Sequence, residues 1–385
     1  MTAILIASLV AIDVSPAPAL VSMPNAFLSL AKAGALNNPG IVIMDPANGE
    51  LIYSKNGDVE KAPASVMKLF STTDAIRTLG SEKRFETTIF ATAKSNKIVI
   101  IGGQDPWLTT SSFEAKKYQR AFLPYLIDKA IEKNPNVRAI SLEYKDLYIQ
   151  DIFALQRYFK GRVKIYPHKH SSTDELRAMA TESLGTIISP TVANIVQFTL
   201  LWSDNLLAAR LAQMSARAKG FTTDSAGIQQ SITSMLTSMD IPTSGLVFRD
   251  GAGLSHDNRV NAATIAKLLK VIHTTPELEV IYQGLPVAGE SGTLKNRFVK
   301  DAPTAVGLIR AKTGWINTSV SLAGFVQTSE KQYIFAIIAS GLRSRESYRA
   351  SARVAIDKLL ATIAKPQVVS ETLPIEPTPE PTPTN

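Results

Sequence analysis

Cysteine is absent from this chain of 385 residues. Without thiols the protein has no disulfide framework, no cysteine nucleophile and no thiolate metal site, and its redox compartment stays open. The chain also lacks any apolar run of about 18 residues, the length that a membrane-spanning helix needs. With 45% apolar and 19% charged residues, its composition is that of a folded protein and excludes a disordered chain.

Basic residues are missing from both ends of the chain. No Lys or Arg precedes Lys32 or follows Lys365. The whole chain has a net charge of +8, and the stretch between these two lysines has +12, because four acids lie outside it: Asp13, Glu371, Glu376 and Glu380. Such a surface favours a polyanionic neighbour, which could be nucleic acid, anionic lipid or an anionic cell-wall polymer.

The two ends also differ from the rest in composition. Ile4 to Ile12 is apolar and is followed by Ser15-Pro-Ala-Pro-Ala19, a pattern typical of an export signal, although the usual basic residues before it are missing. The alternative is a buried N-terminal segment of a cytoplasmic protein. Six prolines among Thr and Glu predict that residues 366–385 form an extended, solvated tail. On the basis of the N-terminal pattern, we assign residues 1–37 to a signal-like segment and lead-in.

Short apolar runs predict strands near both ends of the remaining chain, and a helix after the last of them. Asn48-Gly49 marks the turn of a hairpin between the first two runs. The final helix has apolar residues at helical spacing and can cover one face of a sheet. These runs predict an antiparallel sheet that joins the two ends of the chain. The predicted strands are 40–45, 51–54, 307–313, 320–326 and 333–339, and the predicted helix is 345–363.

The middle of the chain has a different pattern. From about Arg84 to Gly185, short predicted strands alternate with helical stretches, including a helix at 113–133, which indicates an inserted α/β module. Asp105-Pro-Trp107 within it predicts a turn with a core aromatic. A helical zone at 192–218 follows, interrupted near Ser203.

Three short motifs could carry chemistry. In Ser65-Val-Met-Lys68, at a predicted helix start, the two side chains share a helical face, so an unprotonated lysine could take the serine proton. Alone this is weak evidence, because Ser29-Leu-Ala-Lys32 matches it equally well. Ser203-Asp-Asn205 at the helix interruption and Lys312-Thr-Gly314 at the end of a strand complete the set. This order and placement are the signature of penicillin-binding proteins and serine β-lactamases.

With these motifs the chain resembles the serine D-alanyl-D-alanine carboxypeptidase/endopeptidase family, the class C low-molecular-mass penicillin-binding proteins. The resemblance implies an α+β, penicillin-binding-protein/β-lactamase-like transpeptidase fold, with an antiparallel sheet, flanking helices and a helical subdomain. The catalytic domain is expected at 38–83 and 186–365, split by the inserted α/β module at 84–185. Further similar segments are Asp45-Pro-Ala-Asn-Gly49, Pro63-Ala-Ser65, Gly103-Gln-Asp-Pro106, Asp250-Gly-Ala-Gly-Leu-Ser255, Leu285-Pro-Val-Ala-Gly289 and Leu322-Ala-Gly-Phe-Val326.

The resemblance also implies roles for single residues. Ser65 is expected to be the nucleophile and Lys68 its base, with burial and the charge of Lys312 favouring the neutral amine. Ser203 would relay a proton and Asn205 would hold the substrate amide. The expected substrate-binding residues are Lys312 and Thr313 for the terminal carboxylate, then Gly314, and Trp315, whose N–H would form an oxyanion hole with that of Ser65.

The implied reaction is penicillin-sensitive hydrolysis of peptidoglycan stem peptides through an acyl-enzyme. β-Lactams would be covalent inhibitors, and the resemblance implies no metal, organic cofactor or nucleic acid, no membrane span in the mature chain, and an exported protein acting outside the cytoplasm. Two alternatives stay open: a β-lactamase of the same fold, for which no deacylating residue is identified, and a non-catalytic wall-binding protein. The oligomeric state is not predicted.

The chain departs from the family pattern at several places. Only 138 residues separate Ser65 from Ser203, which leaves room for one inserted module where family members commonly have two. Trp315 stands where Ser or Thr is usual, so a bulky ring is expected beside the cleft. His168-Lys-His170 has no partner ligand and predicts a solvated loop without metal. The loop Asp250–Ser255 is expected to border the cleft.

Overall fold

The computed structural model describes residues 23–366. Most of the signal-like segment and nearly all of the predicted tail therefore lie outside the described residues. The helices are α1 (Asn25–Leu30), α2 (Lys68–Leu79), α3 (Ser112–Tyr118), α4 (Pro124–Lys133), α5 (Ile149–Tyr158), α6 (Thr173–Met179), α7 (Val192–Trp202), α8 (Asn205–Ala218), α9 (Ser225–Thr237), α10 (Ala262–Thr274), α11 (Glu279–Gln283) and α12 (Glu346–Ala361). From residue 23 to residue 366, none of them is long and apolar enough to cross a membrane.

The strands form two five-stranded sheets and one short pair. Their order in the two large sheets is β10-β11-β12-β1-β2 and β8-β7-β4-β3-β9. Their bounds are β1 (Gly40–Met44), β2 (Leu51–Lys55), β3 (Glu86–Thr92), β4 (Lys97–Ile101), β5 (Leu108–Thr109), β6 (Ala121–Phe122), β7 (Ala139–Lys145), β8 (Lys164–Lys169), β9 (Ala180–Ile188), β10 (Ile309–Ile316), β11 (Ser319–Gln327) and β12 (Gln332–Ser340).

The first sheet is antiparallel throughout and joins the two ends of the chain, which confirms the predicted α+β fold. Strand β1 pairs with β12 in the register Ile41↔Ile337 and Ile43↔Phe335. All five residues of β1 are buried, because Ile41 and Ile43 enter the core on one face of the sheet while Val42 enters the core on the other. A strand covered on both faces therefore reads as one continuous apolar run.

Helix α12 covers one face of this sheet, as the periodicity predicts. Leu322 of β11 lies opposite Ile337 of β12, and both share a core with Ile356 and Leu359 of the helix. The other face belongs to a second core that includes residues of α2, α8 and α10. The start of α2 thus lies over the sheet and close to β10.

Residues 23–37 of the predicted lead-in are partly folded. Phe27 and Ala31, in and after α1, are fully buried in the same core as α12, and so is Leu36. Ser29 and Lys32, which match the catalytic pattern by chance, are both exposed on this segment.

The second sheet is built from residues 86–188 and is mixed. β4, β7 and β8 are parallel, whereas β3 is antiparallel to both β4 and β9. Strand β9 was not predicted, because its half-exposed sequence Ala180-Thr-Glu-Ser183 lacks alternating apolar residues. It continues three residues beyond the predicted end of the module at residue 185. The division of the chain into domains stays a prediction.

The prediction of a single helix at 113–133 is wrong. The helix ends at Tyr118, Gln119 adopts a left-handed conformation with φ 53°, and a new helix begins at Pro124. At the break, the buried guanidinium of Arg120 donates to the carbonyl oxygens of Pro106, Trp107 and Leu108. A charge taken out of water needs such partners.

We predict that Ile337→Ala lowers the free energy of unfolding by about 2 to 5 kcal/mol, because it leaves a cavity between the sheet and α12. Leu51→Ala is the matched control: Leu51 is 51% exposed in the same sheet, and we expect a change of about 0.5 kcal/mol or less. Urea unfolding of both variants measures the difference. Equal losses would contradict the assignment of the core to this layer.

Candidate active site

Ser65 lies in a tight helical turn, Ala64–Met67, that continues directly into α2. Ala64 has φ 50°, a left-handed conformation that is rare for a residue with a side chain. The preceding segment is fixed to β11, because Ser319 Oγ donates to the carbonyl oxygen of Ala62 at 2.6 Å and Ser321 Oγ donates to that of Pro63. The turn that presents Ser65 is therefore held by the neighbouring sheet.

Lys68 follows on the same face of the turn and is fully buried. Its Nζ lies 2.9 Å from Ser65 Oγ, 2.7 Å from Asn205 Oδ1 and 2.7 Å from the carbonyl oxygen of Ala252. The two carbonyl oxygens can only accept hydrogen bonds, so they take two N–H groups of the amine. A neutral amine has only two, and its lone pair is then left for the hydroxyl of Ser65.

Burial is the cause that favours the neutral form of this lysine. It lowers the pKa of Lys68 to about 8, against the opposing effect of the carboxylates of Asp250 and Asp204. At pH 7 about one molecule in ten then has an uncharged Lys68. From the sequence, we expect the charge of Lys312 to lower the pKa of Lys68. In the structure it is the pKa of Lys312 that lies well below its ordinary value, because of burial and then of the charge of Lys68.

The second motif lies where α7 gives way to α8. Ser203 has a left-handed conformation with φ 57°, and Asp204 caps α8 by accepting a hydrogen bond from the N–H of Leu207 at 2.9 Å. Asn205 is therefore the first residue of α8, with its side-chain oxygen on Lys68. Ser203 Oγ accepts a hydrogen bond from Lys312 Nζ at 2.9 Å.

The third motif lies on β10, the edge strand of the first sheet. Lys312 is fully buried, and its Nζ also donates to the carbonyl oxygen of Thr313 at 2.8 Å. At Gly314 the strand comes so close to the serine turn that an added Cβ would lie 2.7 Å from the carbonyl oxygen of Pro63. Thr313 Oγ1 lies 2.9 Å from Thr293 Oγ1, and Trp315 is 39% exposed.

The structure thus brings the three motifs together, although about 250 residues separate the first from the third. Ser65, Lys68 and Asn205 form one contact chain, and Ser203 and Lys312 form another. Gly314 places β10 beside the turn of the first chain. Trp315 lies farther out, on the exposed side of the same strand.

Several contacts of the site were not predicted. Ala252 acts through its backbone carbonyl oxygen, which has no signal in the sequence beyond its place in the loop 250–255. Asp250 fixes this loop, because its carboxylate accepts hydrogen bonds from the N–H groups of Ala252 at 2.8 Å and Ser255 at 2.7 Å. Thr293, the partner of Thr313, belongs to a segment that carried no expected role.

A buried network of charges connects α8 to residues 86–188, the segment that forms the second sheet. Arg210 of α8 pairs with Asp151 at 2.7 Å, and its guanidinium lies 4.0 Å from the ring centroid of Tyr148. Arg120 reaches to 4.0 Å from Asp204. Asp105 lies in the same region, and burial raises the pKa of its carboxyl to about 7. The helix that carries Asn205 is therefore supported from the second sheet.

The turn at Asp105 is as predicted, with the N–H of Trp107 donating to Asp105 Oδ1 at 2.7 Å and the Trp107 ring buried. The two candidate histidines lie on β8 and at its end. His168 is exposed, and His170 Nε2 lies 2.7 Å from Glu143 Oε2. Within residues 23–366, the side chains of His, Asp and Glu form no group of three that could hold a metal ion.

The sequence model of the D-Ala-D-Ala carboxypeptidase 3 (S13) family matches residues 28–121 and 132–363. Carboxypeptidase DacB of Mycolicibacterium smegmatis is 28% identical over 389 aligned positions, which cover 87% of this chain and 83% of the relative.

Solved structures show the same fold at lower sequence identity. Penicillin-binding protein 4 (dacB) of Haemophilus influenzae superimposes with a TM-score of 0.68 at 15% identity, covering 88% of this chain and all of the other. The penicillin G-acylated Bd3459 predatory endopeptidase of Bdellovibrio bacteriovorus gives a TM-score of 0.60 at 16% identity, covering 87% and 95% of the two chains.

We predict that Arg210→Met destabilises the protein by about 3 to 5 kcal/mol, because it leaves the carboxylate of Asp151 buried without its partner. The double variant Arg210→Met, Asp151→Leu removes both charges and should recover most of this loss. Urea unfolding of the two variants tests the pair. If the double variant is as unstable as the single one, the unpaired charge is not the cause.

Proposed function

Because the chain belongs to the D-Ala-D-Ala carboxypeptidase 3 (S13) family, we infer that it is a serine-type D-Ala-D-Ala carboxypeptidase, a DD-endopeptidase or both, and we propose that Ser65 is its nucleophile. The observation that carries this role is the position of Lys68 Nζ. It lies 2.9 Å from Ser65 Oγ, while two carbonyl oxygens occupy its other hydrogen bonds.

Acylation begins with transfer of the Ser65 proton to the neutral amine of Lys68. Ser65 Oγ then attacks the carbonyl carbon of the penultimate D-alanine. The charge that develops on the carbonyl oxygen would be stabilised by the N–H groups of Ser65 and Trp315. A lysine of pKa about 8 is suited to this step, since its neutral form is accessible near neutral pH and its protonated form can return the proton.

Collapse of the tetrahedral intermediate breaks the C–N bond. Ser203 donates its proton to the departing amine nitrogen and regains one from Lys68, and the product leaves as a free amine. The acyl group stays on Ser65 as an ester. Water then attacks this ester and gives up a proton to Lys68. The bond between the acyl carbon and Ser65 Oγ breaks, Lys68 returns the proton to Ser65 Oγ, and the stem peptide leaves as a carboxylic acid.

The terminal carboxylate of the substrate is proposed to bind Lys312 and Thr313, with Thr293 beside them. In the free site the pKa of Lys312 lies well below its ordinary value, because the side chain is buried and Lys68 is close. A bound carboxylate supplies the opposite charge and raises that pKa again. Substrate binding would therefore favour the charged form of Lys312.

The proposed setting is the cell wall outside the cytoplasm, reached through an N-terminal export signal. Peptidoglycan stem peptides would be the substrates and β-lactam antibiotics the covalent inhibitors. The net charge of +12 between Lys32 and Lys365 suits an anionic wall polymer. We further propose that residues 84–185 form one inserted module in a split catalytic domain, and that the buried pair of Arg210 and Asp151 links the two.

We expect wild-type protein incubated with fluorescent penicillin to gain the mass of one penicillin in a long-lived adduct. Ser65→Ala should gain none, because it lacks the attacking oxygen. Ser29→Ala is the matched control, as its serine also precedes a lysine by three residues, and it should be acylated like the wild type. Intact mass followed over time measures all three.

The remaining outcomes of this experiment separate the alternatives. Rapid release of hydrolysed penicillin would indicate a β-lactamase. The absence of any adduct on wild-type protein would contradict both enzymatic functions and favour a non-catalytic wall-binding protein.

The rate of acylation should depend on pH through Lys68. Because its lowered pKa is about 8, the neutral form grows about tenfold per pH unit below that value and saturates above it. The acylation rate constant measured from pH 6 to 9.5 should therefore rise and level off near pH 8. Lys68→Gln should lose most of the activity at every pH, and a flat wild-type profile would contradict the role of Lys68 as base.

A further inference from the structure

We propose that a cationic cleft beside Thr313 binds the leaving peptide of cross-linked substrates, a peptide that carries carboxylates of its own. This inference rests on the proposed function. The cleft has a volume of about 220 Å³ and lies against Thr293 and Thr313, where the carboxylate of the departing residue is proposed to bind. It then continues to Trp315, Arg297 and Arg353.

The chemistry of the cleft is set by arginines. The guanidinium carbons of Arg349 and Arg353, one turn apart on α12, lie 5.3 Å and 5.7 Å from the centroid of the Trp315 ring. Neither arginine has a carboxylate within ion-pair distance among residues 23–366, whereas Arg297 pairs with the buried Asp357 at 2.7 Å. Arg353, which lines the cleft, is therefore outside any ion pair among the described residues, although its charge acts on the buried Asp357. Arg349 lies next to it over the ring of Trp315.

The aromatic ring orients these charges. A guanidinium is planar, and its fork of N–H groups matches the two oxygens of a carboxylate; attraction to the ring of Trp315 helps to hold Arg349 and Arg353 in place. Arg349 is further fixed by its Nη1, which donates to the carbonyl oxygen of Asn317 at 3.1 Å. Trp315, which takes the place of a small hydroxyl residue, thus contributes a surface on which Arg349 and Arg353 are held.

The location of the cleft decides which substrate uses it. Thr313 is proposed to hold the carboxylate of the residue that departs, so a cleft that continues from Thr313 accommodates atoms beyond that residue. In a pentapeptide monomer the departing group is a single D-alanine, which ends at Thr313. In a cross-link the departing amine belongs to a second stem peptide, and only this longer, carboxylate-bearing group can extend to Arg353.

The test compares two purified substrates, a pentapeptide monomer and a dimer cross-linked through a D-alanyl bond. We expect Arg353→Glu in the full chain to lower kcat/KM for the dimer by about tenfold or more, since it replaces an attraction by a repulsion. For the monomer, kcat/KM should change by about twofold or less. Lys358→Glu is the matched control: it makes the same charge change on an exposed residue of the same helix, outside the cleft, and should alter neither value.

Other results would contradict either the role of the cleft or the proposed function. Equal losses for both substrates, or no loss with either, would overturn the selective role of the cleft, and so would a wild-type protein that cleaves the monomer but not the dimer. The proposed function would survive all three results. A wild-type protein that cleaves neither substrate and is not acylated by penicillin would overturn the proposed function, and this inference with it.

Discussion

The site depends on the burial of one amine. Lys68 has no exposed surface, so each hydrogen-bonding position of its Nζ must be matched by a protein atom. The three partners come from the serine turn, from the first residue of α8 and from the loop 250–255. Two of these partners are carbonyl oxygens, which take the two N–H groups of the neutral amine. The lone pair of Nζ is therefore left for Ser65. Burial lowers the pKa of this lysine, and the hydrogen bonds place it beside Ser65, as the proposed role of a base requires.

A second buried lysine makes the free site electrostatically unfavourable. The charge of Lys68 adds to the burial that lowers the pKa of Lys312, and each lysine is stable as a cation only if an anion or a carbonyl oxygen is near. In the proposed binding mode, a substrate carboxylate at Lys312 relieves this repulsion. Arg349 and Arg353 of α12 are likewise cations without a carboxylate at ion-pair distance among the described residues.

The second sheet contributes to the site indirectly. Its segment supplies Asp151 and Arg120, which reach α8 through Arg210 and Asp204. Asn205 begins the same helix, so the network fixes the end of α8 that contacts Lys68. The chain between Ser65 and Ser203 thus helps to hold the second motif in place.

The sequence by itself determined the antiparallel sheet, the helix that covers it and the eight residues of the three motifs, because periodicity and short-range spacing are local properties. It did not determine the break at Arg120 or the exposed strand β9, whose conformations follow from partners distant in the chain. Only the tertiary structure decided that the carbonyl oxygen of Ala252 meets Lys68, and that two arginines lie over Trp315. Backbone atoms are the same in every residue, and long-range contacts between side chains leave no spacing in the sequence, so neither can be read before the chain is folded.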